Sequence, residues 1–215
     1  VDVLTVDGAG GGTGMSPWHM MNEWGVPTLY IASLTYNYVH KLASKGQYVP
    51  DIILAGGFAF EDDIFKAMAL GAPYVKAVGM ARSPLCAAHV GKLVAEQINK
   101  NAIDKTIEPY GKTTDEIFVL ASRVKRLFGS KGKEVPAGAL GVYSYYQRLS
   151  QGLRQLMCGS RKFALEYLTR DDVVTLTRDA AEVTGLKYIM EADSEEAEQI
   201  LMGKEKTKSK IVAKV

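Results

Sequence analysis

In the first hundred residues, short apolar runs typical of strands alternate with segments of helical periodicity. Short β-rich apolar runs read VDVLTV, DIILA and YVKAVG. Each run is followed by segments with helical periodicity. The first is followed by SPWHMMNEWG and PTLYIASLTYNYVHKLASKG, the second by EDDIFKAMALGA, and the third by SPLCAAHVGKLVAEQINK. A repeated strand–helix order is typical of a parallel sheet covered by helices. The pattern therefore predicts an α/β fold for residues 1–100.

From residue 101 the apolar positions follow helical spacing only. Thr113 and Glu116 have the spacing of a capping box in front of IFVLASRVKRLFG. Helical periodicity continues in LGVYSYYQRLSQGLRQLMCG and in RDDVVTLTRDAAEVTG. We therefore predict a helical extension over residues 101–203 that packs on the first unit. The lysine-rich stretch KEKTKSKIVAKV predicts a flexible, solvated tail over residues 204–215.

Composition narrows the classes of function. The 215 residues are 47% hydrophobic and 23% charged, as in a globular protein that buries a sizeable core. A formal net charge of +2, with lysines gathered only in the tail, argues against a nucleic-acid partner. No apolar stretch reaches the roughly twenty residues of a membrane span, and no signal peptide is recognisable, so no membrane partner is predicted.

The two cysteines and the first residues of the chain give further expectations. Cys86 and Cys158 are far apart, which fits a reducing cytoplasm better than a disulfide scaffold. We expect both to be small core residues and the protein to be cytoplasmic. Because the chain opens in a strand without an initiator Met, we expect that an upstream part of the protein precedes Val1.

Glycines stand at the end of each predicted strand. They are Gly8, Gly56, Gly57 and Gly79. Ligands of parallel α/β proteins bind at the carboxyl ends of the strands, so the three loops are expected to face one site. Ser83 and Pro84 have the character of an N-cap and a first helical residue, so free backbone N–H groups would point to the same site. This arrangement favours a phosphate as the ligand, although glycines alone could also form tight turns.

Three motifs in residues 1–100 resemble those of the FMN-binding domain of the glutamate synthase family. GAGGGTGMSP, residues 8–17, is similar to the family's G-x-[DE]-G-G-T-G-A-[SA]-P. The glycines at residues 56–57 resemble the start of its GGLR-T-G. The segment DIFKAMALGA resembles its D-[VI]-x-K-A-x-A-L-G-A, and VGMAR resembles its final [IV]-G-x-A. The last two motifs are shared with other phosphate-binding barrels. The segment PAGALGVYSYYQRLSQGLRQLMCGSRKF resembles the C-terminal extension of some short glutamate-synthase-like proteins.

The resemblance implies a fold and a cofactor. Residues 1–100 would be the last three strand–helix units of a TIM barrel, a partial (β/α)8 barrel followed by the helical extension. FMN would be held by its phosphate on two loops, whose residues are Gly56, Gly57, Gly79, Met80, Ala81 and Arg82. A substrate and flavin loop would contain Gly11, Gly12, Thr13 and Gly14. Its glycines would let the backbone approach the flavin ring, and its threonine would supply a hydroxyl.

The resemblance also implies a reaction and partners. In the family, reduced flavin delivers hydride to 2-iminoglutarate, which forms from 2-oxoglutarate and ammonia, and the product is glutamate. The implied small molecules are 2-oxoglutarate, glutamate and glutamine-derived ammonia, with an electron-donor subunit and an oligomeric assembly as further expectations. No catalytic residue is assigned, because the family's conserved lysine lies on an earlier strand that this chain does not contain.

The chain departs from the family pattern at several positions. Gly10 stands where the family has an acidic residue, Ala59 where it has an arginine, and Glu61 where it has a glycine. Arg82 is the cation that could compensate. Only Cys86 stands where three cysteines would bind an iron–sulfur cluster, and one thiol cannot hold it. The histidines His19, His40 and His89 lack metal-ligand spacing, so no metal site is predicted.

Two alternatives stay open. A nucleotide-phosphate barrel of the inosine monophosphate dehydrogenase type requires a nucleophilic cysteine after the first strand, and none stands between Val1 and Pro17. A non-catalytic subunit that binds flavin or phosphate would tolerate the departures at Gly10 and Ala59. The tyrosines of the extension, Tyr143, Tyr145 and Tyr146, are interpreted as a helix-packing face, because no basic stripe accompanies them.

Overall fold

A parallel three-stranded sheet forms the centre of the first hundred residues. The computed structural model describes residues 1–11 and 15–203. Within them the strands β1 (Val3–Asp7), β2 (Asp51–Ala55) and β3 (Val75–Gly79) pair in the order β1-β2-β3. The register aligns all three carboxyl ends, since Ala55 is paired with both Asp7 and Gly79. The predicted α/β character and parallel sheet are confirmed, and the described chain as a whole is mostly helical.

Helices follow each strand, as the sequence pattern predicts. Helices α1 (Trp18–Asn22) and α2 (Thr28–Ser44) connect β1 to β2, α3 (Glu61–Leu70) connects β2 to β3, and α4 (Arg82–Asn99) follows β3. The start of α3 is fixed by Asp63, whose carboxylate accepts the amide of Phe60 at 3.0 Å. Its C-cap is Gly71.

The core lies between the sheet and its helices. Ile52 and Leu54, on one face of β2, have no exposed surface. They pack in a cluster with residues of α2 and α3, among them Val39, Phe65, Met68 and Leu70. The same cluster includes Met157 and Leu168, so residues of the extension complete the core of the first unit. The opposite face of the sheet is open, and Val3 is 53% exposed there.

Two of the three helical segments predicted for the second half are shorter than the sequence predicts, and the helix Ala137–Gly159 covers the third in full. The helices of this half are α5 (Thr114–Ile117), α6 (Ala121–Leu127), α7 (Ala137–Gly159), α8 (Arg178–Thr184) and α9 (Ser194–Leu201), with 3-10 turns at 108–110, 129–134, 165–167 and 170–172. The capping box before α5 is confirmed, because Thr113 Oγ1 accepts the Glu116 amide and the Glu116 carboxylate accepts the Thr113 amide.

Two predictions for the second half are wrong. IFVLASRVKRLFG is not one helix: it breaks at Leu120, which has a left-handed φ of +60°, while Phe118 turns into a second core cluster. RDDVVTLTRDAAEVTG is α-helical only from Arg178 to Thr184 and begins with the 3-10 turn at 170–172. Before that helix, Thr175 forms a single parallel bridge with Tyr188, so the second half is not purely helical.

Helices α4 and α7 cross in close backbone contact at three glycines. A Cβ atom at Gly141 would lie 3.1 Å from the Cα atom of Gly91. A Cβ at Gly91 would lie 2.5 Å from the carbonyl oxygen of Ala137, and one at Gly138 3.0 Å from that of Ala88. Since any side chain at these positions would meet backbone, the glycines set the distance between the two helices.

Arg170 connects the extension to the first unit. Its guanidinium donates to the carbonyl oxygen of Leu70 at 2.6 Å and also to that of Thr184. These carbonyls end α3 and α8, whose negative dipole ends attract the cation. The guanidinium also lies 3.9 Å from the ring centre of Tyr36 on α2. Its burial lowers the pKa of Arg170 from the ordinary value.

The expectation that both cysteines are core residues is wrong. Cys86 and Cys158 are free and exposed. None of the helices in the described ranges is both long and apolar enough to cross a membrane. The predicted tail, residues 204–215, lies outside the described residues.

Candidate functional site

A cavity of about 530 Å³ opens at the carboxyl ends of the three strands. It is lined by Asp7, Gly10 and Gly11 after or at the end of β1, by residues 55–58 after β2, and by residues 79–83 after β3. We call residues 56–60 the β2 loop and residues 79–82 the β3 loop. The structure thus brings together most of the predicted site residues: Gly11, Gly56, Gly57, Gly79, Met80, Ala81 and Arg82. The others, Gly12, Thr13 and Gly14, lie outside the described residues.

Glycines let the loop after β1 lie directly on the β2 loop. Gly10, Gly56 and Gly57 have positive φ angles of +86°, +108° and +79°. A Cβ atom at Gly56 would lie 2.5 Å from the carbonyl oxygen of Gly8, and one at Gly10 would lie 3.2 Å from the Cα of Gly57. Some of the glycines in the loop after β1 and in the β2 loop are therefore required by backbone packing. The glycine that replaces the family's acidic residue at position 10 is one of them.

Thr28 joins these two loops and was missed by the sequence analysis. It is the first residue of α2, and it packs so closely on Gly8 that a Cβ there would collide with it. Its Oγ1 donates to the carbonyl oxygen of Gly56 at 2.7 Å. The only local signal for this role is a threonine after Pro27 at the start of a helix, which would ordinarily indicate a cap.

The β2 loop is also fixed at its far end. The hydroxyl of Ser83 donates to the carbonyl oxygen of Phe58 at 2.8 Å, and the hydroxyl of Tyr145 donates to that of Ala59 at 2.6 Å. The amides of Ala59 and Phe60 both donate to one carboxylate oxygen of Asp63, each at 3.0 Å. Four helices therefore hold one loop of five residues.

Ser83 has a different role from the predicted one. Helix α4 begins at Arg82, with Ala81 as its N-cap residue, so Ser83 lies inside the first turn. Its hydroxyl donates across to the β2 loop and does not cap its own helix. The N-terminus of α4 nevertheless lines the cavity through residues 81–83, so its positive dipole end faces the site.

Residues of the β2 and β3 loops supply backbone N–H groups at this edge of the cavity. Within the described residues no acceptor is found for the amides of Gly57, Met80 and Ala81. Gly79 is without a side chain, and a Cβ there would lie 3.1 Å from the Cβ of Ala55, on the cavity face of the sheet. N–H groups without an acceptor beside a helix N-terminus can bind an anion.

Charged side chains lie toward the β1 side of the cavity. The exposed guanidinium of Arg82 lies 3.4 Å from the carbonyl oxygen of Gly11. The carboxylate of Asp7 lies against Gly11, where a Cβ would collide with it. Asp7 was not among the predicted site residues, because a polar residue at the end of a strand carries no special signal. An anion is therefore better accommodated on the β2 and β3 side, away from this carboxylate.

Glu61 does not bring its charge into the cavity. This first residue of α3 directs its side chain toward α7, where a Cβ at Gly152 would lie 2.6 Å from its Cγ atom. Its Oε2 is buried without a hydrogen-bond partner among the described residues. Its replacement of the family's glycine therefore matters less for the anion than the sequence suggests.

The tyrosines of α7 have separate environments. Tyr143 packs against the second core cluster, and Tyr146 is 44% exposed. Tyr145 is partly buried, and its ring is 5.6 Å from that of Tyr146. Desolvation raises the pKa of the Tyr145 hydroxyl above its ordinary value, while a hydrogen bond with Ser83 opposes that rise.

No histidine is found among the described residues that line the cavity. His19 pairs with Glu23 at 2.9 Å, and the Nδ1 atom of His40 is 3.0 Å from the hydroxyl oxygen of Tyr74. Over residues 1–11 and 15–203, no group of three or more His, Cys, Asp or Glu side chains has the geometry to hold a metal ion.

Comparison with known families agrees with the motifs at this site. Residues 1–95 match the family model described as a conserved region in glutamate synthase. No curated protein and no solved structure gave a significant match. The matched range contains all three strands and every loop that lines the cavity, and it ends within α4, so α7 and Tyr145 lie outside it. The match covers 95 of the 215 residues, and this part of the chain is similar to the conserved region of glutamate synthase.

Proposed function

We propose that the protein binds FMN and takes part in the reductive amination of 2-oxoglutarate to glutamate. The observation that carries this proposal is the meeting of three strand ends from the family-matched region around one cavity. The strand-end glycines Gly56, Gly57 and Gly79 all line it. Ligand sites of parallel α/β proteins lie at this edge of the sheet.

We further propose that the sheet is the last part of a (β/α)8 barrel. Among the described strands, β1 and β3 each pair on one side only. The face of the sheet away from α2 and α3 is open, with Val3 exposed on β1 and Ala77 on β3. Further strands on both edges would close this face, as in a barrel.

The residues at the β2 and β3 loops fit the phosphate of FMN. The donors are the amides of Gly57, Met80 and Ala81, and Gly79 leaves room for an anion beside them. Backbone donors can hold a dianion without a fixed side-chain charge, so the alanine in place of the family's arginine at position 59 is tolerated. Arg82 is the nearest cation in the lining, although it is exposed and contributes about 1 kcal/mol or less.

The β1 side of the cavity remains for the flavin ring and the substrate. Gly10 and Gly11 present backbone without side chains there, so a planar ring could approach closely. When bound, reduced FMN would supply the hydride that converts 2-iminoglutarate to glutamate. The chain's own contribution would be to bind the phosphate and to orient the cofactor in the cavity.

Flavin content and glutamate formation test this function. We expect the purified protein, or the protein reconstituted with FMN, to be yellow, and acid release to yield FMN. Given reduced FMN, 2-oxoglutarate and ammonia, it should form glutamate, measured by chromatography against a heat-denatured control. Failure to bind any flavin would refute the proposal. Bound FMN without glutamate would favour the non-catalytic flavin-binding subunit, which the alanine at position 59 permits.

A further inference from the structure

We propose that Tyr145, outside the family-matched region, is a positioning residue for the phosphate-binding β2 loop. Its hydroxyl donates to the carbonyl oxygen of Ala59 at 2.6 Å, although the two residues are 86 positions apart. The inference rests on the proposed function for the identity of the ligand. It adds a role for the helical extension, which would order a cofactor loop that belongs to the first unit.

The hydroxyl of Tyr145 completes a set of three that fix this loop. Thr28 on α2, Ser83 on α4 and Tyr145 on α7 donate to the carbonyl oxygens of Gly56, Phe58 and Ala59, respectively. Each donor stands on a different helix, and each acceptor belongs to a different peptide unit. The loop is therefore held from three directions.

The peptide units at the far end of the loop are held at both ends. In the unit between residues 58 and 59, the carbonyl accepts from Ser83 and the amide donates to Asp63. In the next unit, the carbonyl accepts from Tyr145 and the amide donates to the same oxygen of Asp63. Because a peptide unit is planar, bonds at both ends define its orientation. Without the Tyr145 hydroxyl, the second unit would keep only its bond to Asp63.

The orientation of these units determines where the remaining amide points. The carbonyl of Gly56 is bound by Thr28, and in a trans peptide the N–H points opposite to the carbonyl. The Gly57 amide is therefore directed away from α2, and Gly57 lines the cavity. Since Gly56 and Gly57 both have positive φ and little intrinsic preference, the bonds on either side of them must hold the amide in place.

Helix α7 packs closely against α4 near Tyr145. Gly141, one turn before Tyr145, lies in the close crossing with α4, where a Cβ would be 3.1 Å from the Cα of Gly91. Residues four apart share a helix face, so the crossing that fixes Gly141 also fixes Tyr145. The tyrosine ring is partly buried, and loss of its oxygen alone would leave this packing in place.

Tyr145→Phe removes the hydroxyl alone, and Tyr146→Phe is the matched control on the more exposed neighbour. Hydrogen–deuterium exchange is measured on peptides that cover residues 56–60, in the protein without added ligand. We expect Tyr145→Phe to speed exchange of this loop about three- to tenfold, the effect of losing one hydrogen bond, and Tyr146→Phe to leave it unchanged. Peptides covering the core residues Ile52 and Leu54 should exchange as in the parent.

The affinity ratio of FMN to riboflavin is the second readout, because it isolates the phosphate. We expect Tyr145→Phe to reduce the preference for FMN about three- to tenfold while riboflavin affinity stays the same. Unchanged loop exchange, an unchanged ratio, or faster exchange of the core as well would overturn the positioning role. A parent protein that binds riboflavin as tightly as FMN would refute the proposed function and the phosphate role together, and loop exchange would still decide whether Tyr145 holds the loop.

Discussion

Replacing Gly79 by valine is expected to lower FMN affinity about a hundredfold, to the level of riboflavin. A Cβ at this position would lie 3.1 Å from the Cβ of Ala55 and would project into the cavity. The branched side chain would occupy the space beside the Gly57, Met80 and Ala81 amides. Loss of charge-assisted hydrogen bonds, each contributing about 1.5–3 kcal/mol, accounts for a change of this size. Fluorescence titration of FMN measures it.

Folding and binding can be separated in this experiment. Gly79 ends a strand and has no left-handed φ, and valine is favourable in strands, so the variant should unfold near the parent's temperature. Arg82→Ala, which removes an exposed charge, should cost no more than about fivefold in affinity. Gly159→Val is the glycine control, because a Cβ there has nothing within 4 Å. If Gly79→Val binds FMN like the parent, the phosphate lies elsewhere.

Replacing Gly141 by alanine is expected to destabilise the protein by about 2–3 kcal/mol. In an ordinary helix the same change stabilises by up to about 1 kcal/mol, because glycine has more backbone entropy to lose on folding. Here the added Cβ would collide with the carbonyl oxygen of Ala87 and lie 3.1 Å from the Cα of Gly91. Both neighbours are backbone, so α4 and α7 would have to move apart. Urea denaturation gives the free energy of unfolding.

Gly159→Ala provides the matched control for this change. It lies on the same helix, at its last residue, with open space around the position of a Cβ. We expect its stability to lie within about 0.5 kcal/mol of the parent or slightly above it. If Gly141→Ala were as stable as Gly159→Ala, the glycine crossing would not set the distance between the helices. The position of Tyr145 would then need another explanation.

Local pattern was sufficient to predict the strands and where their ends meet. Each strand is a short apolar run that stops at or just before a glycine, and the helix after β2 carries its acidic first turn and Gly71 at its end. Parallel pairing then follows from the strand–helix order. Because parallel strands align their carboxyl ends, Gly57 and Gly79 could be assigned to one site without knowledge of the register.

Contacts between distant parts of the chain could not be predicted in this way. Thr28 and Tyr145 hold carbonyl oxygens that are 28 and 86 positions away, and periodicity reports only which face of an element is apolar. The same limit explains the error at Leu120, where burial of Phe118 favours a left-handed turn within an otherwise helical pattern. It also explains the unexpected role of Ser83. Its local context predicts a helix cap, but its hydroxyl donates to a carbonyl oxygen of the β2 loop.

The reason for the glycine run was only partly visible in the sequence. A nearby ligand and close packing between two backbones both require glycine, and the sequence pattern cannot distinguish these two causes. In the structure Gly10 and Gly56 are required by the contact between two loops, whereas Gly79 faces the cavity. The two causes occur side by side, because loops that meet around a ligand must also pack on each other.

The central claim is that the β2 and β3 loops hold the phosphate of FMN. Its most direct test is an equilibrium titration of the unmodified protein with FMN and with riboflavin, which differ only in that phosphate. Backbone amides and a helix N-terminus should make FMN bind about a hundredfold more tightly, and added inorganic phosphate should compete with FMN but not with riboflavin. Equal affinities for the two flavins would contradict the claim.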